Sequence, residues 1–389
     1  MKRTGIRTLA LWLCVALWLA CVPACGENAP ESMKMLVINV RKADCILLEN
    51  GEDLYMVDTG SKESWGQVSR VLKTNGIDHL TGVILTHTDG DHAGGLTALA
   101  SSEIGIGAFY TSAFFNCKEK KHPAVLAADL RDMEVSFLRQ GDTLPFGNGK
   151  LTVLGPAEEN ETENNCSVVL LAEGGGGRIL LAGDMELPEE ASLMREGLIE
   201  KADVLKVANH GEADATGSEL VAAVSPRLAV ISTNTADEPD TPSTRVLREL
   251  KNAGAEVLQT QNAQEGVLVT FTDGKMTAGY TDGAAIPDKN DTLRVTGKDL
   301  ENDSVTIANT GNEAVEIAGW FLYSERGGEI FVFPEGSRIA AGQTVTVTSL
   351  SSREKGDYVW QDKKIWHKSK SDCAVLYDVY GRIVSYTYE

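Results

Sequence analysis

The sequence predicts an α/β domain of sheets packed together with helices outside, followed by a small all-β sandwich. Three observations predict this. Between residues 35 and 282, apolar and β-branched runs of strand length outnumber helical runs, and the two types do not simply alternate. Residues 283–291, GAAIPDKND, read as a small polar linker. From 292 to 389 the texture becomes short strands separated by turns. A chain of 389 residues exceeds one ordinary core, so two domains are the expectation.

The chain opens with MKRTGIR, a basic stretch, then LALWLCVALWLA, an apolar stretch too short to span a bilayer comfortably. Residues 1–25 therefore read as an export signal and 26–34 as a tether. WLAC and VPACG each resemble a bacterial lipobox, which makes Cys25 or Cys21 the lipidated residue, with Val22 favouring Cys25. The expectation is a protein on the outer face of the cytoplasmic membrane, held by a lipid anchor, or a secreted one. Cys45, Cys117, Cys166 and Cys373 allow three pairings, and their spacing selects none.

In the first domain, MLVINV, CILLE, LYMVDTG, GVILTH, IGAFYTS, KLTVLG, SVVLLAE, RILLAGD, DVLKVAN, RLAVIST, AEVLQT and GVLVTFT read as strands. SWGQVSRVLKTNG, closed by Gly76, KHPAVLAADLRD, LPEEASLMREG and TPSTRVLRELKNAG read as helices. The run GGGG at 174–177 lies between two strands with no helix after it, so it is a hairpin turn rather than a phosphate loop. The formal charge of −20 keeps the chain soluble and disfavours a tight, sequence-independent grip on DNA.

One stretch carries chemistry. LTHTDGDHAGGL, residues 85–96, places His87, Asp89, Asp91 and His92 within six positions of a chain with only six histidines. A strand ending in histidine, followed by alternating carboxylates and histidine, aims several metal-capable groups at one spot. Imidazole and carboxylate together suit zinc, manganese or iron. Gly94 and Gly95 let the backbone pass close to that spot. The plainer reading is a polar loop of solvated acids capping a helix.

HTDGDH resembles the HxDxDH variant of the metallo-β-lactamase hallmark. Three further stretches resemble the ComEC-like, competence-related subgroup in order and spacing: INVRKADCILLENGEDLYMVDTG, ENNCSVVLLAEGGGGRILLAGDMELPEE and ADVLKVANHGEADATGSELVAAVSPRLAVIST. In that subgroup a Gly-Gln-Gly-Asp-Ser run opens the first of them. The resemblance implies an αββα sandwich with metals at one edge between the sheets. It implies that His87 and Asp89 hold a first metal and that Asp91, His92 and His210 hold a second. Asp184 would bridge the two, and Asp58 would orient a ligand from behind. Asp91, Asp184 and His210 would be the catalytic set. Lys206 and Asn209 flank the site and are candidate phosphate contacts, Lys206 having the alternative of a strand-end surface charge.

The departures from the family matter. Asp89 stands where a histidine is usual, and Asn209-His210 stands where a His-His pair precedes glycine. Pro239-Asp240-Thr241-Pro242-Ser243 contains no histidine, and none lies between His122 and His210 to act as the middle ligand. Asn165 or Cys166 occupies that neighbourhood. The first site is thus oxygen-rich, and one or two ions, Mn²⁺ suiting it better than Zn²⁺, are expected. A divalent metal lowers the pKa of its water toward neutrality and polarises the scissile group, so the expected reaction is hydrolysis. The subgroup's substrates imply a phosphodiester or a nucleic-acid strand. Hydrolysis of a lactone, thioester or β-lactam, and a degenerate surface-binding scaffold, are the alternatives.

SVTIANTGNEAVEIAGWFLYS, IFVFPEG, AAGQTVTV, GDYVWQDKKIW and CAVLYDVYGRIVSYTYE resemble the lamin-tail domain, which implies an immunoglobulin-like sandwich and contacts at the cell surface. Asn309, Gly311, Gly319 and Trp320 fall where its turns and core aromatic belong. Trp360 and Trp366 read either as core packing or as a binding platform.

Overall fold

A computed structural model describes residues 32–114, 121–367 and 372–387. The export signal, Cys21, Cys25 and Cys117 lie outside the described residues. Among the described residues no helix is long and apolar enough to cross a membrane. The first strand starts at Ser32, inside the stretch read as a tether.

Two sheets face one another. One runs, in spatial order, Lys275–Thr281, Gly266–Thr272, Ser32–Ile38, Ile46–Asn50, Asp53–Val57, Gly82–Leu85, Phe109–Ser112 and Val135–Leu138. The other runs Glu256–Gln259, Leu228–Ile231, Val204–Lys206, Gly177–Leu181, Val169–Gly174, Gly149–Gly155 and Thr143–Phe146. Each is antiparallel at one end and parallel at the other. Their strands read as near-continuous apolar runs because both faces are buried. Along Ser32–Ile38, Met33, Met35 and Val37 pack between the sheets, while Leu36 and Ile38 point to the outer helices.

Helices cover the two outer faces. Trp65–Thr74, Leu96–Ser101 and Pro123–Asp129 lie on the first sheet, and Leu187–Arg195, Ser218–Val224 and Thr244–Asn252 on the second. This is the αββα sandwich. Trp65–Thr74 ends as expected: Gly76, at φ +66°, donates its N–H to the Lys73 carbonyl. Ser243 caps Thr244–Asn252 by accepting from the Val246 N–H. The glycine run is a two-residue hairpin, Gly175 and Gly176 both having positive φ between the paired Gly174 and Gly177. A Cβ on Gly177 would fall 2.1 Å from the Phe271 ring, so the tip packs flat on the facing sheet.

From Leu293 the chain forms a second sandwich. Four strands, Leu293–Asp299, Ser304–Asn309, Thr344–Ser349 and Tyr358–Trp360, face another four, Ile330–Val332, Phe321–Ser324, Ala374–Tyr377 and Ile383–Thr387. Trp360 and Trp366 are buried in its core, edge to face with centroids 5.9 Å apart, so packing rather than a surface platform is their role. Buried Asn309 donates to the Glu313 and Ile339 carbonyls, and Gly319 takes φ +74°. This domain packs on the first: Phe321 and Val332 join the core beneath Trp65–Thr74 and Leu96–Ser101, and Ser69 donates to the Val379 carbonyl.

Candidate metal centre

The site lies beyond the carboxyl ends of four strands. Asp58 follows Asp53–Val57, His87 follows Gly82–Leu85, Asp184 follows Gly177–Leu181 and His210 follows Val204–Lys206. Two parallel-paired regions, one per sheet, thus deliver their strand ends to one edge of the sandwich. The short helix Gly90–Ala93 turns His92 back toward them.

His92 is fully buried between two carboxylates. Its Nδ1 donates to Asp58 Oδ2 at 2.8 Å, and its Nε2 lies 3.1 Å from Asp184 Oδ2. Asp58 also accepts from the Thr86 N–H at 2.8 Å and the Thr86 hydroxyl at 2.7 Å, and holds φ +58° to do so. Burial disfavours charge on His92, yet Asp184 and Asp58 outweigh it and hold its pKa well above the usual histidine value. Asp184 is pulled well below the carboxylate range against burial by His92 and His210.

His210 sits in a strained turn in which Asn209, His210 and Gly211 all have positive φ. Its Nδ1 donates to the Ser232 carbonyl at 3.1 Å, leaving Nε2 toward Asp91 Oδ2 (3.4 Å) and Asp184 Oδ2 (3.5 Å). Asp91, about a third exposed, reaches both this nitrogen and solvent. Burial would raise it, but the facing His210 imidazole, with His92 nearby, carries it down to about 2.

His87 is buried and neutral, since burial and the neighbouring His92 lower its pKa. The Thr86 hydroxyl is spent on Asp58, so it takes the His87 Nδ1–H at 3.0 Å. That leaves the Nε2 lone pair facing Asp89 Oδ2 at 3.8 Å and Asp184 Oδ2 at 4.0 Å, acceptors opposite an acceptor. His87 Nε2, His210 Nε2 and Asp184 Oδ1 are all buried without a hydrogen-bond partner. Orphaned buried polar atoms carry a cost unless something fills the space between them. Imidazole and carboxylate atoms of His87, His92 and Asp184, and of Asp91, His92 and His210, lie within 4.8 Å of one another in each set. This donor set fits a divalent cation.

The structure therefore brings His87, Asp91, His92, Asp184 and His210 together, with Asp58 behind His92 and Asp89 at the exposed rim beside His87. It corrects the surface reading of Lys206. That side chain is buried, with Nζ bonded to Asp44 Oδ2 at 2.7 Å and to the Val207 carbonyl at 3.1 Å. Asn209 is buried with its amide on Asp214. Asn165 does not face the gap left by the middle ligand: its amide holds Thr162 and Glu186. Cys166 is also turned away, taking the Asn160 N–H. Ser167 faces the site instead, its hydroxyl 3.3 Å from His87 Nδ1.

Three residues went unrecognised in the sequence. Asp44 is buried, its Oδ1 3.9 Å from His210 Nδ1, and Lys206 holds it ionised against burial. It stands at the aspartate of the Gly-Gln-Gly-Asp-Ser run, which is the signal that could have found it. Arg41 and Lys42, at the Gly-Gln positions of that run, pin the rim: Arg41, at φ +68°, pairs with Asp237, and Lys42 with Glu212 at 2.5 Å and Glu238 at 2.7 Å.

Residues 38–235 match the family described as the metallo-beta-lactamase superfamily, and residues 285–389 match the lamin tail domain. The chain is 32% identical over 198 residues to ComE operon protein 3 of Bacillus subtilis (strain 168), covering 51% of this chain and 25% of that protein. It is 26% identical over 238 residues to competence protein ComA of Neisseria gonorrhoeae, covering 60% of this chain and 32% of that one. The chain thus spans a third or less of these curated relatives. Among solved structures, the metallo-beta-lactamase fold protein YhfI from Bacillus subtilis aligns with a TM-score of 0.41 at 15% identity, over 62% of this chain and 99% of that one.

Proposed function

This chain belongs to the metallo-beta-lactamase superfamily and ends in a lamin tail domain, and from that premise we propose that it is an extracytoplasmic, metal-dependent phosphodiesterase or nuclease. The observation that carries this reading is the convergence of buried, unpartnered polar atoms from His87, Asp184 and His210 at one sheet edge, beside a partly exposed Asp91. Such a set holds a divalent ion and leaves an approach from solvent.

When bound, the ion supplies a Lewis acid and an activated water at neutral pH. The chain's residues do the rest. Asp58 fixes the His92 ring and the Ser232 carbonyl fixes that of His210, so both present Nε2 to the site. Asp91 stays ionised at neutral pH, sits at the rim, and is the group placed to orient the attacking water and take its proton at Oδ2. Attack at phosphorus breaks one P–O ester bond and releases an alcohol and a phosphate monoester.

The choice of phosphodiester rests on the resemblance of the sequence to the ComEC-like subgroup rather than on the fold, because one fold serves many reactions. The formal charge of −20 favours a short strand or small diester over a long polyanion. The lipobox-like cysteines favour attachment by an N-terminal lipid, and the lamin tail domain favours contacts at the cell surface. The test is a panel on one metal-loaded preparation: a generic phosphodiester, single-stranded DNA, a lactone, a thioester and a β-lactam. Turnover confined to the phosphodiesters supports the reading. Turnover confined to the other esters overturns its substrate class.

A further inference from the structure

The fold buries one cation beside the metal centre. Among the described residues Lys206 is the only buried lysine or arginine. Its Nζ donates to Asp44 Oδ2 at 2.7 Å and to the Val207 carbonyl at 3.1 Å. A buried ion pair contributes little net stability, because the loss of hydration offsets most of the attraction. Stability therefore gives no reason for this pair, whereas its position gives one.

Asp44 stands where four segments of the centre meet. Its N–H donates to the Asp91 carbonyl at 3.1 Å, and its own carbonyl accepts the N–H of Gly60, two residues after Asp58, at 2.7 Å. Its Oδ2 takes Lys206, the last residue of the strand that leads to His210. Its Oδ1 is buried without a hydrogen-bond partner and lies 3.9 Å from His210 Nδ1, the ring nitrogen that donates to the Ser232 carbonyl. Carboxylate and imidazole atoms of Asp44, Asp58 and His92 also lie within 4.8 Å of one another. The Asp44 carboxylate is thus set behind His210 and close to His92.

We propose that the buried Asp44–Lys206 pair positions the metal ligands from behind. The inference rests on reading this edge as a metal centre. Asp44 holds the Asp91 turn through its backbone and sets a negative charge behind His210 Nδ1. A carboxylate behind a ligating imidazole orients the ring and strengthens its other nitrogen as a donor to the ion. Lys206 supplies the positive charge that a carboxylate buried at this depth requires. Neither residue is a ligand, so both act through His210, His92 and Asp91.

Asp44→Asn combined with Lys206→Met separates this role from a structural one. Asparagine keeps the side-chain volume and both backbone bonds. The double variant removes both charges together, so its metal-free melting should stay close to that of the wild type. Affinity for Mn²⁺ and Zn²⁺, measured by calorimetric titration of the metal-free protein, should nonetheless fall about 10–100-fold. The ligand-field bands of bound Co²⁺ should also shift, which the loss of a pair that only packs would not cause. Asp44→Asn alone, in which the buried lysine can release its proton, should lose affinity to the same extent. In a folded variant, metal affinity within a factor of two of wild type, or unchanged Co²⁺ bands, overturns the inference. Failure of both variants to fold overturns it too, since the pair would then be structural. A wild type that binds no ion overturns the metal-centre reading itself, an outcome distinct from these.

Discussion

Replacing Asp58 by asparagine loads its cost onto one ligand. Asp58 is buried and makes three bonds, to the Thr86 N–H, the Thr86 hydroxyl and His92 Nδ1, at 2.7–2.8 Å. Asparagine tolerates the φ of +58°, so the backbone has no reason to move. Its oxygen still accepts from the Thr86 N–H, and the Thr86 hydroxyl can reverse and accept from the new amide. His92 has no such freedom. Facing an NH₂ group, Nδ1 can accept only if the ring proton moves to Nε2, the atom that looks into the site. The partner behind a metal-bound histidine is worth about 10–100-fold in metal affinity, or about 1.4–2.7 kcal/mol. Calorimetric titration of Mn²⁺ and Zn²⁺ into metal-free wild type and Asp58→Asn reads this directly, with metal-free melting as the control for folding. Metal affinities within a factor of two of wild type, in a folded variant, would refute the role given to Asp58.

Further outcomes follow from the same geometry. His92 and His210 have pKa values raised in the metal-free protein, where Asp184 with Asp58, and Asp184 with Asp91, outweigh burial. A raised folded pKa stabilises fully below the unfolded value of 6.5 and loses that stability as pH rises through the folded one. Metal-free melting should therefore fall as pH rises above the ordinary histidine value, and metal binding should release protons near that value, fewer as pH rises further. Titration in buffers of different ionisation enthalpy counts them. Lys206→Met leaves Asp44 buried without its cation and should cost about 3–5 kcal/mol in urea unfolding, with Asp44→Asn added to Lys206→Met recovering most of the loss. Phe321→Ala removes a buried ring shared between the two domains, stacked on Tyr377 at 4.7 Å. It should cost about 3–5 kcal/mol and make the domains melt separately by calorimetry.

What could be read in the sequence follows from how local each signal is. His87, Asp89, Asp91 and His92 are contiguous, so one turn places them, and their residue types alone imply a metal. Asp184 and His210 are single residues whose meaning came from family order. Lys206 was misjudged because a strand-end lysine is ordinarily solvated, and its buried partner Asp44 lies 162 residues away. Strands covered on both faces announced themselves as apolar runs. The edge strands Val135–Leu138 and Lys275–Thr281 did not, since their exposed residues break that pattern. Ser218–Val224 is too short for a helical period to stand out.

A metal-dependent hydrolytic centre for phosphodiesters at this sheet edge would declare itself in turnover. The most direct measurement is turnover of single-stranded DNA and a generic phosphodiester by metal-stripped protein, with Mn²⁺, Zn²⁺ or Mg²⁺ restored and His92→Ala alongside. The expected result is no turnover without metal, recovery strongest with Mn²⁺, and loss in His92→Ala. Turnover that ignores metal or survives His92→Ala would contradict it, and so would a fully metal-loaded protein that cleaves neither substrate.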